Sequence, residues 1–117
     1  MLRLFAVAVM VTAFTVMDER VELVRPPRII TDRMSLSLLV RVRPMKDHRT
    51  LAVAAVDGMD IVRLSSMNLE GDKARRVFDI HWQPLPAGEL ELMAIVLNGE
   101  LDIVGEDSHS LLVLESE

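Results

Sequence analysis

The chain predicts an all-β fold: an antiparallel β-sandwich of about seven strands, preceded by one N-terminal hydrophobic helix. Three observations carry this. Beyond Arg20 the apolar residues come in short alternating runs, turn residues separate those runs at regular intervals, and no segment there holds a long 3.6-residue period with caps. The first element stands apart. Leu4 to Met17 is apolar except for Thr12 and Thr15, whose hydroxyls can bond back to a helix backbone.

Arg3 precedes that run and Asp18 and Glu19 follow it, a polarity that favours a cytoplasmic N-terminus with the domain outside. Fourteen residues make about 21 Å of helix, short of a ~30 Å hydrocarbon core. The length suits a signal peptide, but Val11-Thr12-Ala13 lacks the Ala-x-Ala of a cleavage site. The expectation is therefore a retained membrane anchor over residues 1–20 that inserts beside other helices, with Leu4, Phe5, Val7, Val9, Val11, Phe14 and Val16 as the anchoring residues. The placement implied is the bacterial inner membrane, with a periplasmic domain over residues 21–117. Val and Thr are frequent in this run, so an edge strand is the other reading.

The strands follow in order. Val21–Val24 is short and stops at Pro26-Pro27. In Ser35–Val42, Leu36, Leu38, Val40 and Val42 share one face, and Ser37 and Arg41 the other, before Pro44 ends it. Thr50–Val56 leads into Asp57-Gly58, a turn dipeptide, and Ile61–Leu64 returns from it. Glu70-Gly71-Asp72 marks another turn. Arg76–Trp82 alternates Phe78, Ile80 and Trp82 against Asp79 and His81, and Leu85-Pro86-Ala87-Gly88 forms a corner. Glu89–Leu97 is the longest strand. Asn98-Gly99 predicts a two-residue hairpin into Leu101–Val104, with Ser110–Leu114 continuing after a polar break.

Seven strands with one Trp before a corner suggest an immunoglobulin-like or fibronectin-type-III-like sandwich. The run EGDKARRVFDIHWQPLPAGELELMAIVLNGE resembles the later strands of immunoglobulin-like domains in exported bacterial proteins. The resemblance covers about residues 21–117 and implies a fold corner. Leu90 stands where those domains usually carry a corner tyrosine, so that side-chain hydrogen bond is missing.

Composition narrows the function. The chain has no cysteine, which excludes disulfide scaffolds, CxxC redox chemistry and thiol nucleophiles. Residues 1–59 carry nine Lys/Arg against six Asp/Glu, or +3, and residues 60–117 carry four against twelve, or −8. An acidic chain with so few aromatics does not suit nucleic acid. His48, His81 and His109 lie in separate segments, and Asp57 and Asp60 lack further acidic ligands in sequence, so no metal is expected. Ser108-His109-Ser110 has no nucleophile elbow around it. Glu89/Glu91 and Glu100/Asp102 share outward strand faces, the place for solubilising charge.

These absences lead to an expectation of no catalysis, no cofactor and no small-molecule substrate. The expected function is that of an accessory subunit tethered to the membrane, bracing a larger membrane complex of the respiratory or photosynthetic kind. Its partners are other subunits of that complex, and the bilayer through residues 4–17. Candidate contacts are Arg20, Arg25, Arg28, Arg41 and Arg43 from the basic half, with Met45, Met59 and Met67 in or beside turns. The alternatives are a secreted binding module with a cleaved signal, and a filament or capsid subunit that exchanges residues 4–17 as a strand.

Overall fold

In the computed structural model, which describes residues 20–116, side-chain alternation becomes burial. Leu36, Leu38, Val40 and Val42 are buried while Ser37, Leu39 and Arg41 between them are exposed. Eight strands form among the described residues: β1 (Val21–Leu23), β2 (Ile29–Thr31), β3 (Leu36–Val42), β4 (Thr50–Asp57), β5 (Asp60–Asn68), β6 (Val77–Trp82), β7 (Gly88–Leu97) and β8 (Ile103–Leu114). A 3₁₀ turn, Gly71–Lys73, lies between β5 and β6.

The strands make two sheets. One has the order β1-β3-β6, the other β2-β8-β7-β4-β5. Their facing residues, among them Val40, Leu51, Val53, Leu92, Val96 and Leu111, form one core. The small sheet joins the large one through Trp82, whose Nε1–H on β6 donates to Ser65 Oγ on β5 at 2.8 Å. Trp82 is thus a core residue with its polar atom satisfied. The corner after it is held by Arg63, which donates to the carbonyls of Gln83 and Pro84 at 3.1 and 3.2 Å.

Several boundaries differ from expectation. β2 was not anticipated: it has three residues and no alternation to betray it, and it pairs with β8 in parallel, Ile29 beside Leu112. β5 extends to Asn68 because β4 offers a partner at each step from Leu64 onward, Thr50 opposite Asn68. The expected polar break before Ser110 does not exist. Residues 105–110 pair with β7 throughout, Ser110 opposite Glu91 and Asp107 opposite Ala94, so backbone pairing overrides side-chain polarity.

The two turn signals also part company. Asp57 and Asp60 close a two-residue loop with Gly58 at φ +61, as a type II′ hairpin needs. Asn98-Gly99 instead opens a five-residue loop, since Leu97 pairs with Ile103. There the Asn98 side chain accepts from the N–H groups of Glu100 and Asp102 at 2.9 Å each, and Leu101 takes φ 65. An Asx side chain that binds its own loop removes the need for a tight turn.

The helix expected over residues 4–17, with Leu4, Phe5, Val7, Val9, Val11, Phe14 and Val16, lies outside the described residues. Among the described residues no helix is long and apolar enough to cross a membrane. The inner-membrane placement is corrected on that finding.

Candidate functional site

β1 is the edge of the small sheet and lies against β8 of the large one. Its neighbour β3 uses the N–H and C=O groups on one side, so Leu23 presents its own N–H on the other. The carboxylate of Asp107 on β8 accepts from that N–H at 2.8 Å. Arg20, just before β1, donates its guanidinium to the carbonyl of Val104. Two side chains therefore fasten the two sheet margins together.

An open groove of about 1800 Å³ runs along this margin. Its apolar lining includes Val21, Leu23, Val42, Leu90 and Leu111, all buried. Its charged lining is mostly basic on the small sheet, where Glu22 of β1 stands among the arginines, and mostly acidic on the large one. Arg25 and Arg28 enter from the β1–β2 connection, Arg41 and Arg43 from the end of β3, and Arg76 from the start of β6. Glu89 and Glu91 come from β7, and Glu106, Asp107 and His109 from β8. Arg25 has φ 47, a left-handed backbone that costs a non-glycine residue about 1 kcal/mol.

Arg41 pairs with Glu22 at 2.9 Å, with both side chains at least half exposed; such a pair adds little stability. His109 Nε2 lies 3.3 Å from Asp107 Oδ2, and 43% of the imidazole side chain is exposed. A carboxylate-held imidazole facing water can pass a proton. Ser108 and Ser110 alternate to the opposite face of β8, so neither hydroxyl stands beside that imidazole. Arg25, Arg28 and Arg76 offer fixed charge for anionic groups.

Four of the expected contacts, Arg25, Arg28, Arg41 and Arg43, thus share one groove, with Arg20 bound beside it at Val104. The methionines do not join them. Met59 is 99% exposed at the β4–β5 tip, Met45 is half-buried in the β3–β4 loop, and Met67 packs against the core. Arg76, Asp107 and the two β7 carboxylates were missed as groove residues. A signal existed for Asp107: counting back from Leu111 and Val113 in steps of two places it on the inward face, once β8 is read as continuous.

The histidines stay apart. His48 is fully buried in the β3–β4 loop, and His81 on β6 sits 2.9 Å from Ser37 Oγ on the outer face of the small sheet. Among the described residues no three His, Cys, Asp or Glu side chains gather around a possible metal position.

No family model matches the chain, and no curated protein matches it in sequence. Solved structures do match in fold. A superoxide reductase (neelaredoxin) from Ignicoccus hospitalis superposes with a TM-score of 0.59 at 12% identity, covering 82% of this chain and 81% of that one. A single-substitution variant of the same reductase gives the same values. A CARDB domain from Pyrococcus furiosus, solved in complex with di-metal ions, reaches a TM-score of 0.49 at 14% identity, covering 82% of this chain and 90% of that one.

The expectation of no catalysis rested on motifs absent from the sequence. A superoxide reductase superposes on this fold, so those absences do not decide against an enzyme, and that expectation is withdrawn. At such identity the likeness speaks for the fold alone.

Proposed function

We propose that this domain is an interaction module of a larger protein assembly and seats a partner protein along the charged groove beside β1. The observation that carries the reading is the convergence of Arg25, Arg28, Arg41, Arg43 and Arg76, from three separate segments, on one groove. Arginines grouped around Glu22 on one wall and carboxylates on the other favour one orientation of a partner and reject others, which gives specificity more than affinity. The two-sheet order and the corner after Trp82 support an immunoglobulin-like sandwich of the exported bacterial kind as the scaffold.

The test uses the full chain, tagged and purified from its source at low and high salt. The unsubstituted chain is expected to retain partner subunits at low salt and release them at high salt, as screened surface charges do. The double variant Arg28→Glu/Arg76→Glu is expected to lose them at low salt, while Arg33→Glu/Lys73→Glu keeps them. A chain that purifies alone, or a groove variant that keeps its partners, overturns the reading.

A further inference from the structure

The connection from β1 to β2 crosses from one sheet to the other and is tied at both ends. Val24 N–H donates to Leu39 O of the small sheet at 2.9 Å, and Arg28 O accepts from Leu112 N–H of the large sheet at 2.8 Å. Between them runs Arg25-Pro26-Pro27-Arg28. Each proline ring fixes its own φ, and Pro27 holds Pro26 in the extended region. The two arginines therefore stand at the ends of a stiff, half-buried bridge, and both are exposed.

Arg25 takes φ 47 on that bridge. A non-glycine residue in the left-handed region carries strain, and such strain collects at functional sites. Arg76 lines the same groove from the residue before β6, and its carbonyl, which accepts from Val42 N–H at 2.8 Å, fixes it beside β3. Among the described residues the guanidiniums of Arg25, Arg28 and Arg76 have no ion-pair or hydrogen-bond partner, whereas Arg41 is held by Glu22 and Arg20 by Val104 O. Three guanidiniums without counter-charge in one groove complement carboxylate or phosphate oxygens.

The other wall decides between the sources of such oxygens. Glu89 and Glu91 are exposed on β7, and Glu106 and Asp107 line the groove from β8. A surface that is anionic throughout, such as a phospholipid bilayer or a nucleic-acid backbone, brings phosphates against these carboxylates as well as against the arginines. Like charges facing each other cost affinity. A segment of protein can carry its carboxylates on one side only.

We propose that Arg25-Pro26-Pro27-Arg28, together with Arg76, is a preformed clamp for an acidic segment of a partner protein, whose Asp or Glu carboxylates accept hydrogen bonds from these three guanidiniums. The stiff backbone lowers the ordering cost of binding. The inference rests on the reading of the groove as a docking surface and adds which partner residues it selects.

The probe is a capped, fluorescein-labelled peptide of alternating Glu and Ala, titrated with the full-length chain and followed by anisotropy. Saturable binding that weakens with salt is expected, and none with the Gln–Ala counterpart. Arg25→Gly removes the guanidinium while relieving the left-handed backbone. Its urea midpoint is expected at or above that of the unsubstituted chain, and its affinity about tenfold lower. Arg28→Gln, which keeps the carbonyl for Leu112, is expected to lose affinity to the same extent. Pro26→Ala/Pro27→Ala keeps every charge and is expected to weaken binding about threefold through lost stiffness. Unchanged affinity in the arginine variants or in the proline variant overturns the clamp. Equal binding of the Gln–Ala peptide overturns it too, as does tighter binding to phosphatidylserine vesicles than to phosphatidylcholine vesicles, which assigns the groove to a membrane. A chain that retains partner subunits from its source yet ignores the Glu–Ala peptide sinks the clamp alone. One that purifies alone yet binds the peptide sinks the assembly and leaves the clamp standing.

Discussion

The Asp107 carboxylate accepts the Leu23 N–H at 2.8 Å, so a side chain on one sheet completes the backbone bonding of an edge strand on the other. β1 is only three residues long and owes its place to β3 on one side and to this contact on the other. The same carboxylate holds His109 at 3.3 Å. Edge protection, sheet-to-sheet closure and the orientation of a groove imidazole thus meet in one residue.

Asp107 can be tested by changing what it accepts. Asp107→Ala leaves the Leu23 N–H without its partner and is expected to destabilise the fold by about 1–2 kcal/mol. Asp107→Asn keeps an acceptor oxygen and is expected to lose less than half of that. Urea unfolding of the three proteins measures the order. Equal midpoints for Ala and the unsubstituted chain would show that the bond contributes nothing.

His48 is the other polar group committed to structure. It is fully buried; its Nδ1–H donates to Arg43 O at 2.7 Å, while Nε2 finds no hydrogen-bond partner among the described residues and Asp47 Oδ1 stays 3.9 Å away. The loop it anchors carries Arg43 at one end and touches the 3₁₀ turn at the other, where Gly71 N–H donates to His48 O. Gly71 is needed there: its φ is +62, and a Cβ would fall 3.0 Å from Arg49 Nη1 and 3.2 Å from Lys46 O. His48→Leu removes the donor to Arg43 O and also the unsatisfied Nε2, so a net loss of about 1 kcal/mol is expected. His48→Ala adds a cavity, and about 3 kcal/mol is expected. A denaturation series in which the two variants match would show that the cavity, and hence the burial, does not matter.

The readable parts of this fold were those where side chains alone decide. In β3 and β6 the alternation of Leu38 with Ser37, or Ile80 with Asp79, maps directly onto burial. Trp82 announced itself as core through Phe78 and Ile80 on the same face. The unreadable parts were those where a distant partner decides. Ile29–Thr31 becomes a strand because β8 lies beside it, and Gly105–Ser110 stays in a strand because β7 does. The groove repeats the pattern. Its basic residues stood out as a run in the first half of the sequence, but their convergence with Arg76, more than thirty positions on from Arg43, depends on the pairing of β3 with β6. No local pattern encodes that.

The last prediction concerns acid. Asp32 closes the end of β8 on β2: its Oδ1 accepts from Ser116 Oγ at 2.6 Å and from Ser116 N–H at 3.1 Å. The Ser116 hydroxyl bond, then the Ser116 backbone bond, hold the carboxyl below its ordinary value, against a smaller opposing effect of burial. The folded chain therefore binds this proton less readily than the unfolded chain. The stabilisation is complete above the ordinary carboxylate value, and it is lost as pH falls from there through the lowered folded value. The expected consequence is local: the β2–β8 end loosens in acid before the β4–β7 pairing does. The Ser116 amide resonance is expected to titrate over that window with a midpoint below the ordinary carboxylate value, and to stay flat in Asp32→Asn. A Ser116 amide that does not move in the unsubstituted chain, or that moves equally in the Asn variant, would remove Asp32 from this role.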